Sequence, residues 1–261
     1  MRHFIGMTLA LSLLGAAPAI AADAMDIVKK ANHASYYVGD DGRAKVAMTI
    51  TDDQGRARER EFVILRKDED ETDGPQNFYV YFNKPADVKK MVFMVHKNVD
   101  RDDDRWLYLP ALDLVKRIAA SDERTSFVGS HFYYEDVSGR GINEDLHELI
   151  EENDATYVIR STPKDKDAVE FAYYKNWIHK GTSLPIKTEY HDVNGNVLRS
   201  YAALKVDLVD GHPTVTAAEM KDHQSGGKTV MTYSDVKYDV GLPEDIFTER
   251  YLRKAPRKYL R

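Results

Sequence analysis

The spacing of apolar residues changes soon after the N-terminus. Residues 24–38 carry apolar side chains at helical spacing and predict an amphipathic helix that ends before Gly39. In residues 43–51 the period becomes two, which predicts a strand with one buried face. The apolar face of that strand comprises Ala44, Val46, Met48 and Ile50.

Later segments continue the strand pattern and are separated by short turns. Asn194-Gly195 is typical of a two-residue hairpin turn, and residues 143–151 favour a helix. About ten strands joined in this way indicate an antiparallel meander. The further predicted strands are residues 56–66, 77–83, 88–96, 105–109, 156–161, 168–175, 186–192, 196–206, 213–222 and 228–238.

The middle of the predicted sheet is apolar on both faces. In residues 77–83 the two phenylalanines and Val80 point to one face, while the two tyrosines point to the other. The runs Met91–Val95 and Trp106–Leu109 behave in the same way. Because an antiparallel sheet with one wet face alternates apolar with polar residues, both faces here need cover. A cavity under a curved sheet and a two-layer sandwich with a solid core both remain open.

Residues 1–22 read as a secretory signal peptide. A short basic start is followed by an apolar stretch and then by Ala19-Ile20-Ala21, which fits signal peptidase; cleavage is expected between Ala21 and Ala24. Gly15 and Pro18 interrupt the apolar stretch, which disfavours a retained membrane anchor. We therefore expect a soluble periplasmic protein with residues 23–261 as a single domain.

The cysteine content and the net charge exclude or disfavour several kinds of site and partner. The chain has no cysteine, so it can form no disulfide or Cys-ligated metal site, and lipoprotein processing is excluded. Its formal net charge is −6, and signal cleavage removes Arg2 and no acid. Such a mildly acidic chain with interspersed charges argues against nucleic acid or anionic headgroups as main partners.

Residues 105–136 carry the most specific motifs of the chain. They are Trp106-Leu107-Tyr108-Leu109-Pro110, Lys116-Arg117-Ile118 and Ser126-Phe127-Val128-Gly129-Ser130-x-Phe132-x-Tyr134-Glu135-Asp136. Flanking motifs are Phe82-Asn83-Lys84-Pro85-Ala86-Asp87-Val88, Leu184-Pro185-Ile186, Asp192-Val193-Asn194-Gly195 and Leu242-Pro243-x-x-Ile246-Phe247-Thr248. Together they resemble the periplasmic outer-membrane lipoprotein-sorting family, and more narrowly its LolA-like branch associated with RND-type exporters. His131 departs from the Asp that follows Gly-Ser in that branch.

The resemblance implies a mainly β fold, a curved antiparallel sheet or incomplete barrel covered by a few helices on its concave side. It also implies a hydrophobic cavity for acyl chains, where each buried CH2 contributes about 0.8 kcal/mol without any catalytic group. Ordinary core packing remains the alternative for each residue of the predicted cavity wall. These residues are Met48, Ile50, Phe78, Val80, Met91, Phe93, Trp106, Tyr108, Phe127, Phe132 and Tyr134.

The sequence contains no complete motif for a calcium, zinc, serine-hydrolase or nucleotide site. Residues 100–104 resemble the start of a calcium loop, but the required Gly and Glu are replaced by Arg105 and Ala111, so a hairpin tip is expected. No histidine lies in a His-Glu-x-x-His motif, and no Gly-x-Ser-x-Gly elbow is present. His147 falls in the predicted helix, and residues 139–141 favour a turn over a nucleotide loop. No catalytic residue, metal or cofactor is predicted.

The leading hypothesis is therefore a periplasmic carrier and not an enzyme. It would bind a lipid or the acyl chains of a lipoprotein and move them from an inner-membrane RND-type exporter towards the outer membrane. A cargo-free adaptor of the exporter and, less favoured, an envelope lipid hydrolase are the alternatives. The residues leave open the cargo, the exporter, the oligomeric state, the concave face of the sheet and any role of His131.

Overall fold

The structure is a computed structural model that describes residues 23–261, so the predicted signal peptide lies outside the described residues. Three α-helices are described: α1 (Ala24–Tyr36), α2 (Tyr134–Ser138) and α3 (Glu249–Arg253). Five short 3-10 turns lie at Pro110–Leu112, Ala120–Asp122, Phe127–Gly129, Ile142–Glu144 and Glu244–Phe247. The strands are β1 (Asp41–Thr51), β2 (Ala57–Asp68), β3 (Gln76–Lys84), β4 (Val92–Lys97), β5 (Asp104–Leu109), β6 (Leu114–Ile118), β7 (Asp145–Glu152), β8 (Thr156–Pro163), β9 (Tyr173–His179), β10 (Pro185–His191), β11 (Val197–Val209), β12 (His212–Asp222) and β13 (Lys228–Tyr238).

All thirteen strands belong to one antiparallel sheet that is not closed into a barrel. The order is β6-β5-β4-β3-β2-β1-β13-β12-β11-β10-β9-β8-β7, so the first and last strands meet in the middle. From β1 the chain meanders outward to the edge strand β6. Residues 119–144, which we name the cover segment, then carry the chain to the opposite edge, and β7 to β13 meander back.

Local sequence explains most of these elements. Asp23 caps α1 by accepting a hydrogen bond from the Met25 amide at 3.0 Å, and the helix ends before Gly39 as predicted. The predicted hairpin at residues 194–195 is confirmed, but its loop has three residues, because the Asp192 amide bonds the Asn196 carbonyl across it. Gly195 takes a φ of +84° there, a backbone conformation that glycine adopts without strain.

Two sequence predictions are wrong in their element type or position. The helix predicted at residues 143–151 is instead the end of a 3-10 turn (Ile142–Glu144) followed by the edge strand β7 (Asp145–Glu152). A β-bulge between Leu149 and Glu151 interrupts the alternation there, so the apolar residues mimic helical spacing. The strand predicted at residues 168–175 begins only at Tyr173, and β6 was missed because exposed residues fill most of it.

The prediction that both faces of the central sheet are covered is confirmed. One face, which we name the inner face, carries a buried cluster built on Val46, Phe78, Phe93 and their neighbours. The outer face carries a second cluster that includes Tyr79 and Met94. Residues 239–261, the C-terminal segment, pack over that outer cluster through Leu242, Ile246, Phe247 and Leu252.

The inner face is concave and is covered by α1 and by the cover segment. Strands β3 and β9 stand seven places apart in the sheet order, which would be roughly 34 Å in a flat sheet. Phe78 of β3 and Ile178 of β9 nevertheless line the same cavity. The sheet is therefore strongly curved, and the predicted incomplete barrel is confirmed, with α1 and α2 on its concave side and α3 on its outer face.

Candidate functional site

A cavity of about 400 Å3 lies between the inner face of the sheet, α1 and the cover segment. This volume falls within the range of small-molecule binding sites, roughly 300–1,000 Å3. Side chains from both halves of the sheet contribute to it. Its apolar wall includes Val28, Ala31, Ala34, Phe62, Ile64, Phe78, Val80, Phe127, Phe132, Val137, Ile178, Leu184, Met220 and Met231.

Helix α1 closes one side of the cavity. Ile27, Val28 and Ala31 are buried against Ile159 and Ile178 of β8 and β9. At the other end of the helix, the carbonyl of residue 36 accepts hydrogen bonds from the side chains of residues 66 and 76. The helix therefore bridges the two halves of the curved sheet.

The ring of Tyr36 fixes where the C-terminal end of α1 meets the cover segment. A Cβ atom at Gly139 would lie only 2.6 Å from this ring, and the backbone of Gly139 has a φ of +76°. Both observations require glycine at this position. The contact places the phenol ring of Tyr36 in the cavity wall.

An aromatic cluster anchors the middle of the cover segment to the sheet. Phe127, which is 1% exposed, has ring centroids at 5.5 Å from Phe93, 5.8 Å from Phe82 and 6.1 Å from Phe62. Tyr134 packs edge-on against the same ring at 5.6 Å. Such pairs add about 0.5–1.5 kcal/mol each beyond the burial of their area. The cluster therefore holds the cover segment down on the half of the sheet formed by β2 to β4.

Charged contacts join the cover segment to the half of the sheet that contains β11. Arg199 of β11 is 2% exposed and donates to Asp136 at 3.1 and 3.3 Å. Its guanidinium lies 3.6 Å from the ring centroid of Tyr133 and 4.8 Å from that of Tyr190. Buried charges need partners of this kind, because an unpaired ion in the interior is strongly unfavourable. The ion pair thus joins the cover segment to β11.

A second group of buried charges ties the cover segment to β4 and β5. Arg105 donates to Glu123 at 2.6 Å. The buried Lys97 ammonium donates to the Ser138 carbonyl at 2.8 Å, and burial lowers the pKa of Lys97 to about 8. The cover segment is therefore held at both sides of the cavity by polar contacts as well as by apolar ones.

The cavity wall also contains polar side chains, and its charged residues are Arg43, Arg66, Glu135, Asp136, Arg140 and Lys237. Four tyrosines of the wall, which we name the tyrosine group, are Tyr36 of α1, Tyr190 of β10, Tyr201 of β11 and Tyr233 of β13. Burial is the main cause of a raised pKa for each of them, to about 12 for Tyr190 and Tyr233. All four phenols therefore stay protonated at neutral pH and can donate hydrogen bonds.

The structure divides the predicted cavity residues into three groups. Four of them, Phe78, Val80, Phe127 and Phe132, line the cavity. Met48, Ile50, Met91, Phe93 and Tyr134 belong to the same inner-face cluster but pack beside the cavity and not in its wall. Trp106 and Tyr108 lie on the outer face under the C-terminal segment. Contact with a ligand stays a prediction for all of them.

His131 lies at an anchor of the cover segment. Its backbone amide and its Nδ1 both lie within hydrogen-bond distance of the Thr229 hydroxyl, at 3.0 and 2.8 Å. A Cβ atom at Gly227 would overlap the imidazole ring at 2.3 Å, so glycine is needed there. Burial lowers the pKa of His131, which keeps the ring neutral at pH 7. Its observed contacts join the cover segment to β13.

Helix α1 and the later strands also contribute to the cavity, which the sequence did not predict. Tyr190, Tyr201, Met220, Met231 and Tyr233 all face inward from strands that were predicted. Their alternation with polar neighbours was visible in the sequence. Without the sheet order, however, it could not show that these strands curve back to face β3.

Two further observations concern membranes and metals. Over residues 23–261, no helix has the length and apolar character needed to span a bilayer. The same residues contain no group of three or more His, Asp or Glu side chains placed to hold a metal ion. Residues 100–104, which resemble the start of a calcium loop, lie at the turn from β4 into β5. In this turn Asp103 accepts a hydrogen bond from the Asn98 amide at 2.9 Å.

Comparison with known proteins places this architecture in a family. A family model described as "uncharacterized protein" matches residues 74–254, which is more than half of the chain. The chain belongs to the DUF1329 family. A DUF1329 protein of known structure, from Desulfovibrio piger, is 26% identical with a TM-score of 0.81, covering 88% of this chain and 97% of its own.

Two other solved structures resemble this DUF1329 chain. A domain assigned to outer membrane lipoprotein sorting, from Vibrio parahaemolyticus, is 26% identical with a TM-score of 0.79, over 88% of this chain and 98% of its own. A LolA superfamily protein from Nitrosomonas europaea shares the fold at 23% identity and a TM-score of 0.68, over 88% and 100%. No curated protein sequence matches the chain significantly. The predicted resemblance to lipoprotein-sorting, LolA-like proteins is confirmed.

Proposed function

We propose that this DUF1329 chain is a periplasmic carrier that binds the acyl chains of a lipid or lipoprotein in the inner-face cavity. The observation that carries this proposal is the cavity itself. Side chains of the curved sheet, α1 and the cover segment surround about 400 Å3 of space with a mostly apolar wall. A solid core would be expected of an adaptor that carries no cargo.

The physical basis is the transfer of methylene groups out of water. Each CH2 that enters the cavity contributes about 0.8 kcal/mol, so a long chain is held without a covalent step. Phe78, Val80, Phe127 and Phe132 are proposed to contact the chain, together with Met220 and Met231, whose flexible side chains adapt to irregular ligands. Binding and release, and not catalysis, are the proposed activity.

The route of the cargo is a further part of the proposal. A periplasmic location is supported by the signal-like sequence of residues 1–22 and by the lipoprotein-sorting neighbours. Delivery from an inner-membrane RND-type exporter towards the outer membrane is supported by the family resemblance alone. Photo-crosslinking in cells from surface positions of the carrier would test the exporter link, and failure to capture an inner-membrane exporter would count against it.

Native mass spectrometry of the protein purified from its own periplasm tests cargo binding directly. We expect copurifying lipid, and we expect a fluorescent acyl probe to bind the delipidated protein and to be displaced by that lipid. A protein that emerges empty and also fails to bind the probe would contradict the carrier proposal and favour the adaptor.

A charged substitution in the cavity wall makes the test specific. Ile64 lines the cavity and is half-buried, so Ile64→Glu places a carboxylate where acyl chains would lie. We expect the affinity for the probe to fall at least about tenfold, because desolvating this charge costs more than the 1.4 kcal/mol that equals tenfold. Leu112→Glu, at an apolar residue that is 70% exposed, is the matched control and should bind like wild type. A folded Ile64→Glu protein with unchanged affinity would exclude this cavity as the binding site.

A further inference from the structure

We propose that the tyrosine group selects amphiphiles whose ester or amide carbonyl groups enter the cavity with their acyl chains. This inference rests on the proposed function and specifies its substrate class. Acylated glycerolipids and the acylated anchor of a lipoprotein share these carbonyl groups, whereas plain hydrocarbons and triterpenes lack them. The tyrosine group therefore distinguishes cargo classes that an apolar wall alone would accept equally.

The four phenols come from four different elements and converge on one region. Tyr36 projects from α1, while the other three lie on β10, β11 and β13 of the concave face. All four side chains line the same cavity. A ligand that fills this cavity would therefore meet side chains of the tyrosine group.

The four hydroxyl groups make fewer hydrogen bonds to the described residues than buried tyrosine hydroxyls usually do. Across residues 23–261, the tyrosine group makes only one hydrogen bond through its hydroxyls, a weak contact of 3.5 Å from Tyr233 to the sulfur of Met231. By contrast, the hydroxyl of Tyr174, also in the cavity wall, donates to Asp145 at 2.8 Å, and that of Tyr238 bonds Thr214 at 2.8 Å. Buried tyrosine hydroxyls normally find a partner.

These hydroxyls are also accessible from the cavity. Three of the four hydroxyls have no hydrogen-bond partner among residues 23–261, yet their oxygen atoms keep some accessible surface. Two of the rings are held in place by the surrounding structure: Tyr36 by Gly139, and Tyr190 by Phe171 at 5.1 Å and by Arg199. The wall thus presents several fixed donors to whatever occupies the space.

Fixed, neutral donors favour neutral acceptors that arrive with an apolar chain. An ester or amide carbonyl satisfies a phenol hydroxyl, while a hydrocarbon that displaces water from it leaves the hydroxyl unpaired at a cost in binding. Each hydrogen bond of this kind changes affinity by about two- to tenfold. Two or more of them would separate acylated lipids clearly from hydrocarbon-like ones.

The experiment compares two lipids that differ only in the carbonyl groups. Diacyl phosphatidylethanolamine and its diether analogue have the same zwitterionic head group and the same chain length. Their affinities are measured by displacement of the fluorescent acyl probe from the wild type and from a Tyr36→Phe/Tyr201→Phe double variant, which keeps both rings and removes two hydroxyls. Tyr81→Phe on the outer face is the matched control. A diacylglyceryl-cysteine peptide, the second source of ester carbonyls, is measured in parallel with the phospholipid.

We expect the wild type and Tyr81→Phe to bind the diacyl lipid about three- to thirtyfold more tightly than the diether. The double variant should lose this preference while its affinity for the diether is unchanged. Equal binding of the two lipids by the wild type, or a preference that survives in the double variant, would overturn the inference and leave the carrier proposal intact. Failure of both lipids to bind would refute the proposed function and this inference with it. Tighter binding of the lipopeptide than of the phospholipid would assign the carbonyl site to a lipoprotein anchor, and the reverse to a glycerolipid.

Discussion

Replacing Asp136 by asparagine removes the charge that balances Arg199 while it keeps the size of the side chain. Arg199 is 2% exposed and is enclosed by the rings of Tyr133 and Tyr190. Its Nη1 and Nη2 atoms donate to Asp136 at 3.1 and 3.3 Å, and its buried Nε atom has no partner among the described residues. Nη1 also donates to the His131 carbonyl at 3.3 Å, but Asp136 is the one carboxylate that pairs with Arg199 among the described residues.

The expected loss of stability follows from the burial of the ion pair. Removing one partner of a buried ion pair leaves an uncompensated charge and costs about 3–5 kcal/mol. We expect Asp136→Asn to lower the free energy of unfolding by this amount. Arg199→Met should cost less, because the Asp136 carboxylate that it leaves behind is more exposed (12%) than Arg199 and still accepts a hydrogen bond from the Tyr133 amide at 2.7 Å. The double variant should therefore be more stable than Asp136→Asn alone.

Urea unfolding followed by circular dichroism measures all four proteins of this double-mutant cycle. The expected result is strong non-additivity, with a coupling energy well above the 0.3–0.5 kcal/mol scatter typical of independent sites. Two outcomes would refute a stabilising role of this buried ion pair: additive losses in the free energy of unfolding, or an Asp136→Asn protein whose free energy of unfolding lies within about 1 kcal/mol of wild type.

The remaining predictions concern the contact of α1 with the cover segment and one buried cation. Gly139→Ala should lower the free energy of unfolding by at least about 2 kcal/mol, since its Cβ would overlap the Tyr36 ring at 2.6 Å and its φ is +76°. Gly211→Ala, at a similar φ of +85° but with open space around it, is the control in urea unfolding, and equal costs would contradict the overlap argument. Because burial lowers the folded-state pKa of Lys97 to about 8, below the ordinary value of 10.5, the unfolded state binds more protons between these values. Stability should therefore rise between pH 8 and pH 9.5, by at most about 1.4 kcal/mol per pH unit, and Lys97→Met should lack this rise; a flat wild-type profile would contradict it.

Much of the sheet could be predicted from periodicity alone. The inward set Ala44, Val46, Met48 and Ile50 is buried as expected, because a period of two leaves one choice of face for a strand. The double-sided apolar pattern of β3 and β4 also predicted correctly that both faces are covered. These inferences succeed because they depend on neighbouring residues and on burial.

The cavity wall could be predicted only in part, and the reason is geometrical. Alternation in Trp106–Leu109 shows that two faces exist, but it does not show which face is concave. The sequence therefore predicted Trp106 and Tyr108 in the cavity wall on the same grounds as Phe78, although they pack beneath the C-terminal segment. The inward tyrosines of β10, β11 and β13 reach the cavity through curvature over many strands, which no local pattern encodes.

The pairing of β1 with β13 has a consequence for how the chain folds. Of the twelve strand pairings within residues 23–261, eleven join strands that follow each other along the chain, and the β1–β13 pairing alone brings distant segments together. Each half of the sheet can therefore assemble from short loops at low entropic cost, whereas the β1–β13 pairing must close a loop of most of the chain. We expect this pairing to form late, so substitutions along it should mainly accelerate unfolding and leave the folding rate nearly unchanged.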